Sequence, residues 1–207
     1  EGSAEQGGMV VLCSTRVYGC WMFVMTMDQQ GSRRVGDRVE ALLADLAHLG
    51  GAAGVVRPFE RTVGDEVQAV LDDSALVVDL ALRMLRRGGW SVGIGAGEVD
   101  GPLPATARAG SGEAFVLARA AVERAKSRSR PVPVAVDGVA ERPARDAEAV
   151  LTLLGAVLAR RTAHGWAVVD TIAEAADATQ ADVAARLGVT QQAVSQRLRT
   201  ALWSEEA

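Results

Sequence analysis

Carboxylates follow a glycine in the stretch "RTVGDEVQAVLDD" (61–73), where Gly64, Asp65 and Glu66 lie between two short apolar runs. Carboxylate oxygens are ligands that Mg²⁺ and Mn²⁺ prefer, so this turn could belong to a metal site that orients phosphate groups. The same pattern is typical of an ordinary β-hairpin, in which alternating apolar residues surround a Gly-Asp turn. The stretch by itself is compatible with both interpretations.

A helix-glycine-helix pattern occupies "TQADVAARLGVTQQAVSQRLRTAL" (179–202) near the C-terminus. Gly188 can supply the positive φ of a tight turn, and Thr190 can cap the helix that follows it. Apolar residues recur at helical spacing on one face of each helix and in the turn: Val183, Ala184, Leu187, Val189, Val194 and Leu198. The pattern predicts a helix-turn-helix whose second helix is placed for the major groove of DNA.

The outward face of that second helix is polar. Glutamine can pair with adenine, and arginine with guanine or a phosphate. Thr179, Arg186 and Arg197 are predicted to anchor the flanking DNA backbone. The whole predicted DNA-binding set is Thr179, Arg186, Thr190, Gln191, Gln192, Ser195, Gln196, Arg197 and Arg199. A purely structural helical hairpin remains the alternative interpretation of the same pattern.

The overall charge restricts how such a protein binds DNA. The net charge is −4 and the isoelectric point is near 5.3, so no global basic field attracts nucleic acid and any DNA contact must be local. Because few cationic side chains line the predicted reading surface, one copy should bind weakly. We therefore predict a homodimer that presents two copies to half-sites roughly 34 Å apart.

The N-terminal apolar segment does not favour a membrane protein. Arg16 and Gly19 interrupt residues 9–25, which also lack the layout of a signal peptide. Cys13 and Cys20 have no partners for a zinc site and are interpreted as reduced thiols. We predict a cytoplasmic protein without a membrane partner.

Hydrophobic periodicity predicts two regions of different composition. Strands and helices alternate as β-α-β-β-α-β-α-β up to residue 138, and the first six elements match the ferredoxin-like or palm plan. Residues 128–145 are interpreted as a linker, with the basic run from Lys126 to Arg130 as solvated chain. The predicted fold class is α+β. Its parts are a leader or added extension (1–21), a ferredoxin-like or palm domain with a βαββαβ core (22–138), and an all-α helix-turn-helix domain (139–207).

The predicted strand at 90–99 is rich in glycine. Gly93, Gly95 and Gly97 point to one side of it, and this nearly bare face lets another group approach the backbone closely. A ligand, a second subunit or a loop could occupy the face. Gly93 and Gly95 are therefore predicted ligand-binding residues.

The N-terminal region resembles the palm of class III nucleotidyl cyclases and their GGDEF relatives. It is more closely similar to the SatD family of bacterial proteins, through "DQQGSRR" (28–34), the "GDE" hairpin, and "GSGEAFVLARAAVERAK" (110–126). The cyclase resemblance implies that Asp28 and Asp65 hold Mg²⁺ or Mn²⁺ and that arginines contact phosphate groups. The candidate arginines are Arg33, Arg34, Arg61 and Arg119.

Departures from the cyclase pattern argue against catalysis. The helix after the glycine-rich strand has an apolar residue where the cyclases carry an asparagine, and Val63 replaces the first glycine of the GGDEF signature. We therefore predict a transcriptional regulator whose palm dimerises or senses a small ligand such as a nucleotide, and assign no catalytic residue. The alternatives are a metal-dependent nucleotidyl cyclase or nucleotide hydrolase, and an adaptor that holds a protein partner on the glycine face.

Overall fold

One mixed sheet of five strands organises the chain. The computed structural model describes residues 20–175 and 177–204, and the fold is α+β. The strands are β1 (Cys20–Gln29), β2 (Val55–Arg61), β3 (Glu66–Leu71), β4 (Trp90–Val99) and β5 (Val134–Gly138). Their order in the sheet is β2-β3-β1-β4-β5. Strand β1 is antiparallel to both of its neighbours, β3 and β4, while β5 is parallel to β4.

Eight α-helices are described. They are α1 (Ser32–Val35), α2 (Val39–Leu46), α3 (Ser74–Arg87), α4 (Glu113–Ala125), α5 (Glu141–Arg160), α6 (Ala163–Ala173), α7 (Gln180–Leu187) and α8 (Gln191–Thr200). Short 3-10 turns cover Ala47–Leu49 and Ala107–Ala109. The predicted order of strands and larger helices is present. None of the described helices is both long enough and apolar enough to span a membrane.

The main core lies on the sheet face covered by α2, α3 and α5. Alternate residues of each strand point into it because side chains along a strand alternate between the two faces. Strands β1 and β4 contribute Met25, Met27, Trp90, Val92 and Ile94 to this core. Helices α2 and α3 contribute Leu42, Val77, Leu80 and Met84.

Helix α4 covers the opposite face and fills the space that the glycines of β4 leave open. A Cβ atom on Gly93 would lie 2.2 Å from the backbone nitrogen of Val122, and one on Gly95 would lie 2.1 Å from the carbonyl oxygen of Ala114. The prediction that Gly93 and Gly95 bind a ligand is therefore wrong, since helix backbone already contacts them. The same finding removes the glycine face as a docking surface for an adaptor.

The last strand predicted for the N-terminal region is present as β5, but the predicted linker around it (128–145) is wrong where α5 begins. Residues 134–138 form β5, and α5 begins at Glu141. Pro143 lies in the first turn of α5, where its missing N–H costs no helical hydrogen bond. Ala144 and Leu151 belong to the main core. Helix α5, which the prediction assigned to the C-terminal domain, thus packs against the sheet.

The start of the first strand differs slightly from expectation. Strand β1 begins at Cys20, two residues before the predicted start of the palm domain; Cys13 and the rest of the predicted leader up to residue 19 lie outside the described residues. Asp73 caps α3 by accepting a hydrogen bond from the backbone of Ala75.

Candidate nucleic-acid interface and basic groove

Local capping interactions define the helix pair α7 and α8. The Thr179 hydroxyl accepts a hydrogen bond from the Asp182 backbone at 3.3 Å, and the Asp182 carboxylate accepts one from the Thr179 backbone at 2.9 Å. This capping box satisfies two backbone donors at the start of α7. Gly188 ends the helix with φ of 62°, and the Thr190 hydroxyl caps α8 by accepting from Ala193 at 3.1 Å.

A separate small core joins α7 and α8 to α6. Val168 of α6 is fully buried together with Val183 and Val194. The residues that pack around them are Ala184, Ile172, Ala178, Leu187, Val189 and Leu198. Each residue that the pattern predicts to face inward lies in this cluster. Helix α6 completes the core, because two short helices alone do not bury their apolar faces.

The predicted DNA-binding residues lie on the surface of this unit. Seven of the nine are exposed, and only Ser195 and Arg197 are half-buried. The side chains of Gln191, Gln192, Gln196 and Arg199 form no hydrogen bond or ion pair with another described residue. Their donors and acceptors are therefore open to an external partner. The exposed members are Thr179, Arg186, Thr190, Gln191, Gln192, Gln196 and Arg199.

A second feature, which we name the basic groove, opens where β1 ends and β4 begins. It encloses about 890 Å³ between the chain after β1 and the chain after α4. Six of the 22 lysine and arginine residues line it, against the single carboxylate of Asp28. The six are Arg33, Arg34, Arg38, Lys126, Arg128 and Arg130. In a chain of net charge −4, this is a marked local concentration of positive charge.

Gln29 fixes the shape of the loop that carries three of these arginines. Its side chain is 3% exposed, donates a hydrogen bond to the carbonyl of Gly36 at 2.6 Å, and accepts one from the backbone of Arg38 at 2.8 Å. The last residue of β1 thus ties down the far end of the loop. Without it, Arg33 and Arg38 would lose their fixed positions along the groove wall.

We expect Gln29→Leu to destabilise the protein by about 1–3 kcal/mol, because it leaves two backbone groups without a partner at a buried site. Urea denaturation measures the change in the free energy of unfolding. Gln30→Leu is the matched control: Gln30 is exposed and bonds to Ser91 and Trp90, so its loss should cost less than about 1 kcal/mol. Equal losses in both variants would contradict this role of Gln29.

A lysine stands beside Asp28 on the groove floor. The Lys126 Nζ atom lies 2.9 Å from the Asp28 carboxylate and 2.7 Å from that of Glu123. The pKa of Asp28 lies above its usual value: burial is the largest cause, Lys126 lowers the pKa through its hydrogen bond and its charge, and the charges of Asp65 and Glu66 raise it. Burial lowers the pKa of Lys126, but its two carboxylate partners outweigh this and raise it overall. The Lys126 ammonium group therefore stays charged at neutral pH.

These donors do not fit Mg²⁺ or Mn²⁺. Within residues 20–175 and 177–204, no group of three or more His, Cys, Asp or Glu side chains could hold a metal ion. Asp28 is paired with an ammonium group, and Asp65 does not line the groove. The predicted divalent site at Asp28 and Asp65 is therefore not formed by this donor set.

The hairpin turn beside Asp28 has its own structural explanation. Thr62 donates to the carbonyl of Glu66 at 3.0 Å, and Glu66 donates to that of Val63 at 3.2 Å. Gly64 alone in the turn has a positive φ, of 64°, so the turn is not of type I′, which requires a positive φ at Asp65 as well. The glycine of the Gly-Asp-Glu stretch is needed for the turn itself.

Two of the predicted phosphate-binding arginines lie away from the groove. Arg61 forms an ion pair with Asp37 at 2.6 Å and approaches Glu40 at 3.6 Å. Arg119 is exposed on α4 and does not line the groove. Arg33 and Arg34 do line it, together with four cationic residues that the sequence interpretation did not assign to a ligand. The sequence predicts solvated chain for Lys126, Arg128 and Arg130, because the sheet topology that brings this segment back to the end of β1 leaves no local pattern.

The chain matches no protein-family model, no curated protein and no solved structure. The resemblance to the SatD family and to the cyclase palm therefore stays a prediction that rests on the motifs quoted above.

Proposed function

We propose that this protein is a sequence-specific DNA-binding transcriptional regulator that uses α8 to read base edges in the major groove. The observation that carries the proposal is the exposed, unpaired polar face of α8, which follows a capped turn and lies over a small core of its own. Long polar side chains on an exposed helix are common, but a glutamine-rich face held by a tight helix-glycine-helix turn has the geometry of a recognition helix.

Residues near the start of α8 carry the direct readout in this proposal. Gln191 and Gln192 occupy the first turn, which in helix-turn-helix proteins faces the bases, and Arg199 lies two turns further along. Arg186 and Arg197 contact the DNA backbone on either side and set the orientation of the helix. Thr179 and Thr190 act mainly through their caps, because their hydroxyl groups already bond to the helix backbone.

The N-terminal region serves as the sensing part of the regulator. The order β2-β3-β1-β4 with β1 antiparallel to both neighbours is the arrangement expected for a βαββαβ unit of the ferredoxin-like or palm type. This supports the predicted palm, and the basic groove at the end of β1 gives that palm a place for an anionic ligand.

A polar contact joins the sensing part to the DNA-binding part. The Arg86 guanidinium of α3 forms two hydrogen bonds of 2.7 Å with Asp170 of α6, and its Cζ atom lies 3.8 Å from the centre of the Trp166 ring. Gly89, three residues beyond Arg86, lines the groove. A ligand that shifts this end of α3 can therefore change the orientation of α6 and of the helices packed on it.

The proposed regulator binds DNA as a homodimer. Arg186, Arg197 and Arg199 are the only cations of the α7–α8 pair, so a single copy offers few phosphate contacts. Two copies related by a two-fold axis double that number and read a symmetric site.

Selection of bound duplexes from a random pool tests the proposed function. We expect the protein to enrich a two-fold symmetric motif, and the Gln192→Ala, Arg199→Ala double variant to lose the enrichment while keeping its fold. Arg142→Ala, which removes an exposed arginine of α5, is the matched control and should select the same motif. A folded protein that enriches no sequence, with or without added nucleotides, would contradict the proposal.

A further inference from the structure

The basic groove has the size and charge of a small-molecule site. Its volume of about 890 Å³ lies within the range of about 300–1,000 Å³ that is typical of ligand pockets. Cationic side chains enter it from two walls, Arg33, Arg34 and Arg38 from the chain after β1, and Arg128 and Arg130 from the chain after α4. Charges that converge on one concave space suit a compact anion better than the convex backbone of duplex DNA.

The cationic groups of the groove are largely unsatisfied. The side chains of Arg33, Arg34, Arg38 and Arg128 form no ion pair or hydrogen bond with another described residue. Arg130 bonds to Glu148, yet its Nε atom is buried with no hydrogen-bond partner in the described part of the chain. The cationic groups that a ligand in the groove could reach are therefore those of the exposed residues Arg33, Arg34, Arg38 and Arg128.

The negative charge of Asp28 in this groove is balanced by Lys126. In a metal-dependent phosphate site, a carboxylate holds a divalent ion that bridges to the phosphate oxygens. Here the ammonium group of Lys126 stands 2.9 Å from the carboxylate and neutralises it directly. The amine is also a donor that phosphate oxygens accept.

We propose that the basic groove binds a small molecule that carries two or more linked phosphate groups, and that it does so without a divalent metal ion because Lys126 occupies the place of the metal beside Asp28. This role for the groove rests on the proposed ligand-sensing function of the N-terminal region, but does not require that α8 binds DNA. Free polyphosphate and nucleotides share the chemistry that the guanidinium groups recognise.

Isothermal titration calorimetry of the whole chain with inorganic triphosphate, ATP and GTP tests the proposal, each in EDTA and again with excess Mg²⁺. We expect one-to-one binding in EDTA, not strengthened by Mg²⁺, and no comparable binding of monophosphate. Equal affinities for the three probes would identify free polyphosphate as the recognised group, and tighter binding of ATP or GTP would identify a nucleotide. Absence of binding by every probe to folded protein would overturn the proposal.

Substitution of two groove arginines tests the same proposal through the affinity for triphosphate. Arg33→Gln with Arg128→Gln should weaken triphosphate binding at least tenfold, because each substitution removes a charge-assisted hydrogen bond to a phosphate oxygen. Arg142→Gln on α5 is the matched control outside the groove and should leave the affinity unchanged.

Substitutions of Asp28 and of Lys126 distinguish a metal-free site from a metal site, because the two kinds of site predict opposite changes in triphosphate binding. Asp28→Asn should keep or strengthen triphosphate binding, since it removes a negative charge from the floor, whereas Lys126→Met should weaken it. Binding that requires Mg²⁺ and disappears in Asp28→Asn would establish a metal site instead.

The same groove variants distinguish this proposal from the DNA-binding one. If triphosphate binds as expected while no duplex is enriched, only the regulatory function fails. If no phosphate probe binds while Arg33→Gln with Arg128→Gln weakens duplex binding, the groove is part of a DNA surface and the ligand proposal fails.

Discussion

Replacing Gly95 by alanine is expected to destabilise the protein by more than about 3 kcal/mol. The new Cβ atom would lie 2.1 Å from the carbonyl oxygen of Ala114 and 2.3 Å from the backbone nitrogen of Ala118. Overpacking of a core by one group costs about 1–3 kcal/mol when side chains can move, and here the obstacle is helix backbone, which moves only if α4 shifts as a whole. Urea denaturation followed by circular dichroism measures the loss.

Gly97→Ala is the matched control on the same strand. Its Cβ atom would meet a methyl group of Val139 at 3.1 Å and the backbone nitrogen of Ala114 at 3.3 Å, so shifts of a few tenths of an ångström relieve both contacts. We expect a loss well below that of Gly95→Ala. If both variants are as stable as the parent protein, helix α4 does not lie on the glycine face of β4.

Replacing Glu148 by glutamine is the second change with a large expected effect. The Glu148 carboxylate accepts hydrogen bonds from Arg124 at 2.9 Å and from the backbone of Val136 at 2.8 Å, and it also pairs with Arg130. It thereby joins α4, β5 and α5. Removing the charge leaves two guanidinium groups without their common partner, and we expect a loss of about 2 kcal/mol at neutral pH, below the value for a fully buried pair.

The contribution of Glu148 depends on pH in a defined direction. Burial raises the pKa of this carboxyl, but the hydrogen bonds from Arg124, Val136 and Arg130 outweigh burial and lower the pKa from 4.5 to about 2. Between these two values the unfolded chain binds the proton more readily than the folded chain does. The stabilisation is therefore complete above pH 4.5 and is lost as the pH falls towards 2.

Denaturation of the parent protein and of Glu148→Gln across this range checks the expectation. The difference in the free energy of unfolding should shrink steadily from about pH 4.5 to pH 2. Glu141→Gln is the matched control on the same helix, because Glu141 is 81% exposed and its ion pair is with Arg145, which is exposed as well. A difference that stays constant with pH would show that Glu148 does not carry a lowered pKa.

Local sequence signals are sufficient to predict where the C-terminal helices start and end. Gly188, Thr190 and the capping residues act within one or two turns of their own positions, so the start and end of α7 and the start of α8 were readable from their neighbours alone. The alternation of apolar residues likewise predicted the order of strands and helices.

Contacts between distant segments could not be predicted in the same way. The sequence showed that one face of β4 is bare, but not that α4 covers it, although α4 carries a signal that was available. Its Ala114, Ala118, Ala121 and Ala125 recur at helical spacing, and all four are buried. A row of alanines on one face of a helix lets its backbone come close to a strand whose facing residues are glycines. The two patterns together therefore predict close packing.

The basic groove was missed for a related reason. Lys126, Arg128 and Arg130 lie in a segment rich in serine and proline that has no periodicity, so it was interpreted as a linker. Only the pairing of β5 with β4 brings this segment back to the end of β1, beside Arg33 and Arg38. Charged residues that are distant in sequence and are brought together only by strand pairing leave no local pattern in the sequence.

Base reading by α8 is tested by measuring the affinity for a selected duplex in which each base pair is changed in turn. We expect Gln192→Ala to lose discrimination at one position of each half-site and to keep it elsewhere, because a side chain that contacts one base edge contributes there alone, by about 1–3 kcal/mol. Arg186→Ala should weaken binding evenly across all duplexes. An even loss in Gln192→Ala, or unchanged discrimination at every position, would contradict base reading by α8.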